Sequence, residues 1–178
     1  MSMMHASHLG GTPSTAHTMR WVIAAMLPGL GMMTLYFGLG VLSNVLIAAL
    51  LAVAAEAFIL RLRRRPVWPT LNDASALLTG VLLGASLPPA SPWWLIGVGV
   101  IAAVVVAKQL YGGLGHNPFN PAMVGYALLL VSFPTQMTLW APPQAIWSDT
   151  LWPQILGTVP MTTLDALSGA TPLDAFKH

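Results

Sequence analysis

The sequence predicts an all-α integral membrane protein with about five transmembrane or half-membrane helices, counted from its apolar runs. Three observations carry this. Of the 178 residues, 56% are hydrophobic and only 7% are charged, against roughly 25% charged in a soluble domain. So few charges cannot cover a water-facing surface, and lipid must be the solvent over much of the chain. No charge falls between Trp21 and Ala55, a stretch long enough for two crossings of about 20 residues each. The basic residues gather on one side of the resulting arrangement, as cytoplasmic loops require.

The first apolar run extends from Trp21 to Phe37 and the second from Val41 to Leu60, with Gly38 and Gly40 marking the turn between them. The third, Ala74 to Leu87, is short, and Pro88, Pro89 and Pro92 separate it from the fourth, Trp93 to Leu110. The fifth runs from Ala122 to Phe133. Arg61, Arg63, Arg64 and Arg65 follow the second run, Arg20 precedes the first and Lys108 closes the fourth. With the N-terminus cytoplasmic, every basic residue except Lys177 lies inside, and the chain after Pro134 lies outside. Three regions result: a disordered cytoplasmic tail over 1–19, a five-helix membrane domain over 20–134, and an outer-face segment over 135–178. Trp140, Trp147 and Trp152 suit that last segment to the headgroup region.

Composition also excludes chemistry. There is no cysteine, so thiolate metal sites and Cys-held iron–sulfur clusters are ruled out. Any electron passing through the chain needs an organic cofactor. A net charge of +2 gives no argument for nucleic acid. His5, His8 and His17 lack a regular metal-ligand spacing.

The third and fifth runs are too short to span, and both open with helix-start residues. Asn72 and Asp73 can cap the third, and Asn120 caps the fifth with Pro121 as its first helical residue. Between the fourth and fifth lies Gly112 to Pro121, rich in Gly and Pro. Two readings stand for it: irregular backbone packed in protein or lining a cavity at membrane depth, or an ordinary cytoplasmic loop. The first predicts that the segment is packed away from water. His116 within it reads as a structural hydrogen-bonding residue before a proton relay. Glu56 is the one acid inside a predicted span, which makes it a functional candidate. Pairing with Arg61 about one turn away, or snorkelling, is the favoured structural account.

The run from Lys108 to Tyr126, KQLYGGLGHNPFNPAMVGY, resembles the signature of the RnfD family of Rnf (Rsx) electron transport complexes, homologous to the NqrB component of the sodium-pumping NADH:quinone oxidoreductase. The runs Asn72 to Gly80, Ser132 to Thr138 and Thr171 to Asp174 fit the same family. The resemblance implies a membrane component of the bacterial inner membrane that relays electrons between ferredoxin and NAD and couples them to sodium or proton transport. It implies partners in components A, B, C, E and G of the Rnf complex, and a flavin transferase for maturation. In this family FMN is joined through its phosphate to a threonine in an Asp-x-x-(Ser/Thr)-Gly-Ala-Thr motif. That motif reads Asp165-Ala166-Leu167-Ser168-Gly169-Ala170-Thr171, so the resemblance names Thr171 as the attachment residue, with Asp165, Ser168, Gly169 and Ala170 around it. The charge count places Thr171 on the periplasmic side. Pro172 biases Thr171 toward extended backbone, which holds a hydroxyl away from the chain.

Family members continue through a second block of spans, whereas this sequence ends seven residues after Thr171. It reads as one half of a two-repeat, transporter-like fold, with no catalysis expected from this chain alone. The alternative is half of a small-solute channel of urea-transporter-like fold, which has no need of the flavin motif. If the arginine cluster fixes topology, neutral replacement of Arg61, Arg63, Arg64 and Arg65 scrambles orientation. Reporter fusions after Leu60 and after Pro134 measure this, and unchanged sidedness in the variant would remove the cluster as determinant.

Overall fold

A computed structural model describes residues 14–89 and 91–140. These residues form helices joined by turns, and none of them lies in a strand. Helix α1 is Thr15–Phe37, α2 is Leu39–Leu62, α3 is the single turn Val67–Leu71 and α4 is Ser75–Ser86. Helix α5, Trp93–Val100, continues without a break as a π-helix over Ile101–Gln109. Helix α6 is Pro121–Ser132, and the short α7 is Pro134–Thr138.

All five expected runs are helical. Helix α1 starts earlier than Trp21, within the stretch read as a tail. Ser14 caps it by accepting from the His17 N–H at 3.3 Å, and Trp21 Nε1 donates to His17 Nε2 at 2.7 Å. Gly38 separates α1 from α2 with a φ of 82°, a left-handed value that glycine takes without a Cβ clash. Among the described residues, α1 and α2 are the two helices long and apolar enough to cross a membrane. Helix α4 has 12 residues, a length of roughly 18 Å at 1.5 Å per residue, short of a hydrocarbon core of about 30 Å.

Helix α2 is the hub, and α4 lies along it at backbone contact. A Cβ on Gly80 would sit 2.6 Å from Ala49 Cα, and one on Gly84 2.7 Å from Val45 Cα. In lipid such close approach supplies the van der Waals contact that hydrophobic exclusion provides in water. The core then gathers Ala48 and Ala52 of α2, Leu83 of α4, Leu95 and Ile96 of α5 and Leu129 of α6. Gly125 lets α6 approach the Gly99 carbonyl of α5. No residue of α1 is buried. An apolar helix facing lipid tails needs no protein partner, and the N-terminal half of α1 is held through Arg20, which donates to Asn72 Oδ1 at 2.7 Å.

Two expectations about helix starts fare differently. Asn120 accepts from the Ala122 N–H at 3.0 Å with Pro121 first in α6, as its sequence position implies. At α4 the N-cap is Ala74, in a left-handed conformation with φ 60°. Asp73 still serves the helix by accepting from the Ser75 N–H at 2.7 Å, but Asn72 is turned away to Arg20. The Gly112–Pro121 segment is irregular, with φ of 109°, 104° and 85° at Gly112, Gly113 and Gly115. Within this chain Leu114, Gly115, His116 and Pro118 to Asn120 are exposed, so the chain's own residues do not pack it away from water.

Replacing Gly80 by Val should loosen the α2–α4 seam and cost at least about 1–3 kcal/mol through overpacking. Gly97 meets nothing within 4 Å, so Gly97→Ala should be neutral or slightly stabilising. Thermal unfolding of the purified variants in detergent compares them, and equal losses would show that the close approach does not set stability.

Candidate functional site

The arrangement at the start of α4 grows from one demand. Glu56 is fully buried on an apolar helix, and a carboxylate taken from water must be paired and hydrogen-bonded. Its partner is Lys108, 1% exposed, whose Nζ lies 2.5 Å from Glu56 Oε1. Gln109 Nε2 donates to the same oxygen at 2.7 Å. Lys108 Nζ also donates to Ser75 Oγ at 2.6 Å, and Ser75 Oγ in turn donates to Asp73 Oδ1. A continuous polar chain thus runs Asp73, Ser75, Lys108, Glu56, Gln109 across three helices. Glu56 Oε2 has no partner in it.

The expected pairing of Glu56 with Arg61 is therefore corrected. Arg61 shares a helix with Glu56, but the counter-charge comes from the far end of the fourth run. The π-helix makes this reach possible. Its bonds run from residue i to i+5, as between Val105 O and Leu110 N–H and between Lys108 O and Gly113 N–H, both at 3.0 Å. A wider turn holds more residues, so neighbouring side chains diverge less than the 100° or so of an α-helix. Consecutive Lys108 and Gln109 can both face Glu56. Arg63 fastens the end of this helix by donating to Gln109 O at 2.6 Å, and Arg65 donates to Gly112 O at 3.4 Å. The arginine cluster thus has a structural task besides its charge.

Beside the polar chain, a cavity of about 160 Å³ opens between the N-termini of α4 and α6. Ser75, Thr79, Lys108, Asn117, Asn120 and Pro121 line it, with Met19 of α1 at its edge. Both helices point their positive ends toward it. A second cavity of about 320 Å³ is lined by Arg65, Thr70, Asp73, Gln109, Gly112 and Gly113. The polar chain therefore has water-sized space on two sides. A buried carboxylate with one unengaged oxygen is a functional-site candidate.

Among the described residues no cluster of His, Cys, Asp and Glu has the makings of a metal site. His116 is exposed, and its backbone N–H donates to Gly113 O at 3.2 Å. Asp165, Ser168, Gly169, Ala170 and Thr171, with the whole outer-face segment beyond residue 140, lie outside the described residues. Gln109 was not singled out from the sequence, and Lys108 read there as a marker of sidedness and as the start of the family-like run, not as a partner of Glu56. A charge-balance argument would have found Lys108: the single acid inside a span has to be matched by a base from another one.

The chain's residues 2–178 match the NQR2, RnfD, RnfE family. The chain belongs to that family. Similar to it is the D component of the ion-translocating oxidoreductase complex of Cellvibrio japonicus, 50% identical over 175 residues, which cover 96% of this chain and 49% of the relative. The same-named component of Salmonella paratyphi A is 49% identical over 179 residues, covering 92% of this chain and 50% of the relative. The chain spans about half the length of these relatives. Membership agrees with the described residues, which are helical and include two long apolar helices and several shorter ones.

Glu56→Gln leaves a buried lysine uncompensated and Lys108→Met leaves a buried carboxylate, each costing about 3–5 kcal/mol. The double variant removes both charges and should cost clearly less than the sum of the singles. Unfolding of the three variants in detergent reports this, and additive losses would mean that the two charges are not coupled.

Proposed function

We propose that this chain is part of a membrane subunit of an ion-translocating oxidoreductase complex, carrying FMN esterified to Thr171. The observation that supports it most is family membership across residues 2–178 together with the complete Asp165-to-Thr171 motif. By name, both relatives are the D component of an ion-translocating oxidoreductase complex. FMN supplies a centre that accepts and passes single electrons, and a chain with no cysteine needs such an organic carrier. Thr171 provides the attachment oxygen. Gly169 and Ala170 beside it are small enough to admit a phosphate and the transferase that makes the bond, and Asp165 and Ser168 complete the recognised segment.

On this reading electrons pass between ferredoxin and NAD through the complex, and the membrane helices couple the transfer to sodium or proton movement. The other components, A, B, C, E and G, hold the remaining centres. The chain sits in the bacterial inner membrane with its N-terminus cytoplasmic and Thr171 on the periplasmic face. The Glu56–Lys108 pair, with Glu56 Oε2 unengaged, is the point on the described helices where charge movement acts most directly. A solute channel, by contrast, has no use for the Asp165-to-Thr171 segment, and the relatives' name does not favour it.

Co-expression with the flavin transferase, denaturing electrophoresis and fluorescence imaging test the attachment. The wild-type band should fluoresce and Thr171→Ala should lose all covalent flavin while membrane insertion is unchanged. Thr171→Ser, which keeps a hydroxyl, should retain part of the signal. Flavin persisting in the alanine variant, or mapped by mass spectrometry to Thr162 or Thr163, defeats the assignment.

A further inference from the structure

Helix α2 closes on a residue that its geometry does not favour. The Arg65 N–H donates to Leu60 O at 2.9 Å and the Arg64 N–H to Arg61 O at 3.0 Å, the two bonds that end a helix in a Schellman motif. The residue after the cap is left-handed in that motif, and Arg64 has a φ of 53°. Glycine is usual there, because a Cβ crowds the carbonyl that follows. The chain instead holds an arginine where glycine would relieve the backbone. Strain kept at a single residue points to a use for its side chain.

The arginines of this turn have no carboxylate to meet. Among the described residues the acids are Glu56 and Asp73, which engage Lys108 and Ser75, and no arginine there is in an ion pair. Arg63 and Arg65 each donate to a backbone carbonyl, of Gln109 and Gly112. Arg61 and Arg64 are exposed, and their side chains hydrogen-bond none of the described residues. The setting is the rim of a membrane helix. Exposed Leu46, Leu50, Phe58 and Leu62 recur at multiples of four along α2, an apolar stripe that leads to the helix end. Just beyond it Trp68 is 81% exposed. The Arg63 and Arg65 bonds bring exposed Leu110 and Tyr111 to the same level. Aromatic rings beside cations at the end of an apolar helix are the pattern of a headgroup region.

We propose that Arg61 and Arg64 bind the phosphate of an anionic phospholipid whose acyl chains lie along that apolar stripe. A guanidinium meets a phosphate through two parallel N–H bonds, and a basic cluster directly after a membrane helix attracts anionic lipid. A phospholipid supplies both parts that this surface calls for, the negative charge and the apolar tails, which a soluble acidic protein does not. The site depends on neither flavin nor Thr171. It also differs from the setting of orientation, because removing either arginine alone leaves three basic residues in the cluster.

Native mass spectrometry of the purified full chain in detergent, titrated with phosphatidylglycerol or phosphatidylcholine, tests this. Detergent has no sides, so orientation does not enter the measurement. Wild type should prefer phosphatidylglycerol by roughly 25-fold, about fivefold for each arginine. Arg61→Gln and Arg64→Gly should each lose about fivefold of that preference, and the double variant most of it. Arg64→Gly should at the same time melt at the wild-type temperature or above, since glycine takes this φ without the Cβ clash. Affinity lost with no loss of stability separates lipid binding from folding. Equal wild-type affinity for the two lipids overturns the proposal. So does a wild-type preference in either single variant, which would leave these charges to orientation or to an acidic protein partner.

Discussion

The packing where α2, α4 and the end of the π-helix meet answers to the burial of Glu56. A carboxylate inside a largely apolar helix can be kept only if another element delivers a counter-charge and the geometry satisfies it. That element is the end of α5, where Lys108 and Gln109 both bond Glu56 Oε1. Ser75 joins through Lys108 and fixes where α4 begins. Asp73 then holds Ser75, which places the left-handed turn at Ala74. One ion pair thereby sets the register of three helices.

The same pair explains the unusual backbone of α5. Its i→i+5 bonding over Ile101–Gln109 would be hard to rationalise from propensity, since wide turns are rare. It gains by bringing two neighbouring side chains to one acceptor, and Arg63 secures the last turn through Gln109 O. Helical irregularities of this kind often mark functional sites, and this one carries the buried lysine.

Helix α4 has a polar feature at each end and small residues between. Gly80 and Gly84 press it onto α2 at backbone distance, so its termini are fixed relative to Glu56 and Asn44. At its positive end lie Lys108 and a cavity; at its negative end lie Asn44 Oδ1 and Ser91 Oγ, with no partner. A helix of 12 residues is shorter than a hydrocarbon core, and backbone groups left unsatisfied at membrane depth must meet protein or water. The family to which the chain belongs is named for ion translocation in its relatives, and a half-membrane helix with contrasting ends suits that setting.

The sequence by itself determined the membrane class, the five apolar runs, the Asn120–Pro121 helix start and the family. The first three depend on local composition and spacing (charge scarcity, run length, and a cap residue beside a proline), and the family on the resemblance of the Lys108–Tyr126 run. It also singled out Glu56, because an acid in an apolar run stands out without any structure. Only tertiary structure decided that Lys108, rather than Arg61, balances that acid, since the two are 52 positions apart and meet only after α5 has packed on α2. It decided likewise that Asn72 turns to Arg20 instead of capping α4, and that Asn44 and Ser91 converge on the Pro88 carbonyl. Such choices arise because a buried polar group takes whichever partner the packed helices bring within reach, and sequence proximity does not measure that distance.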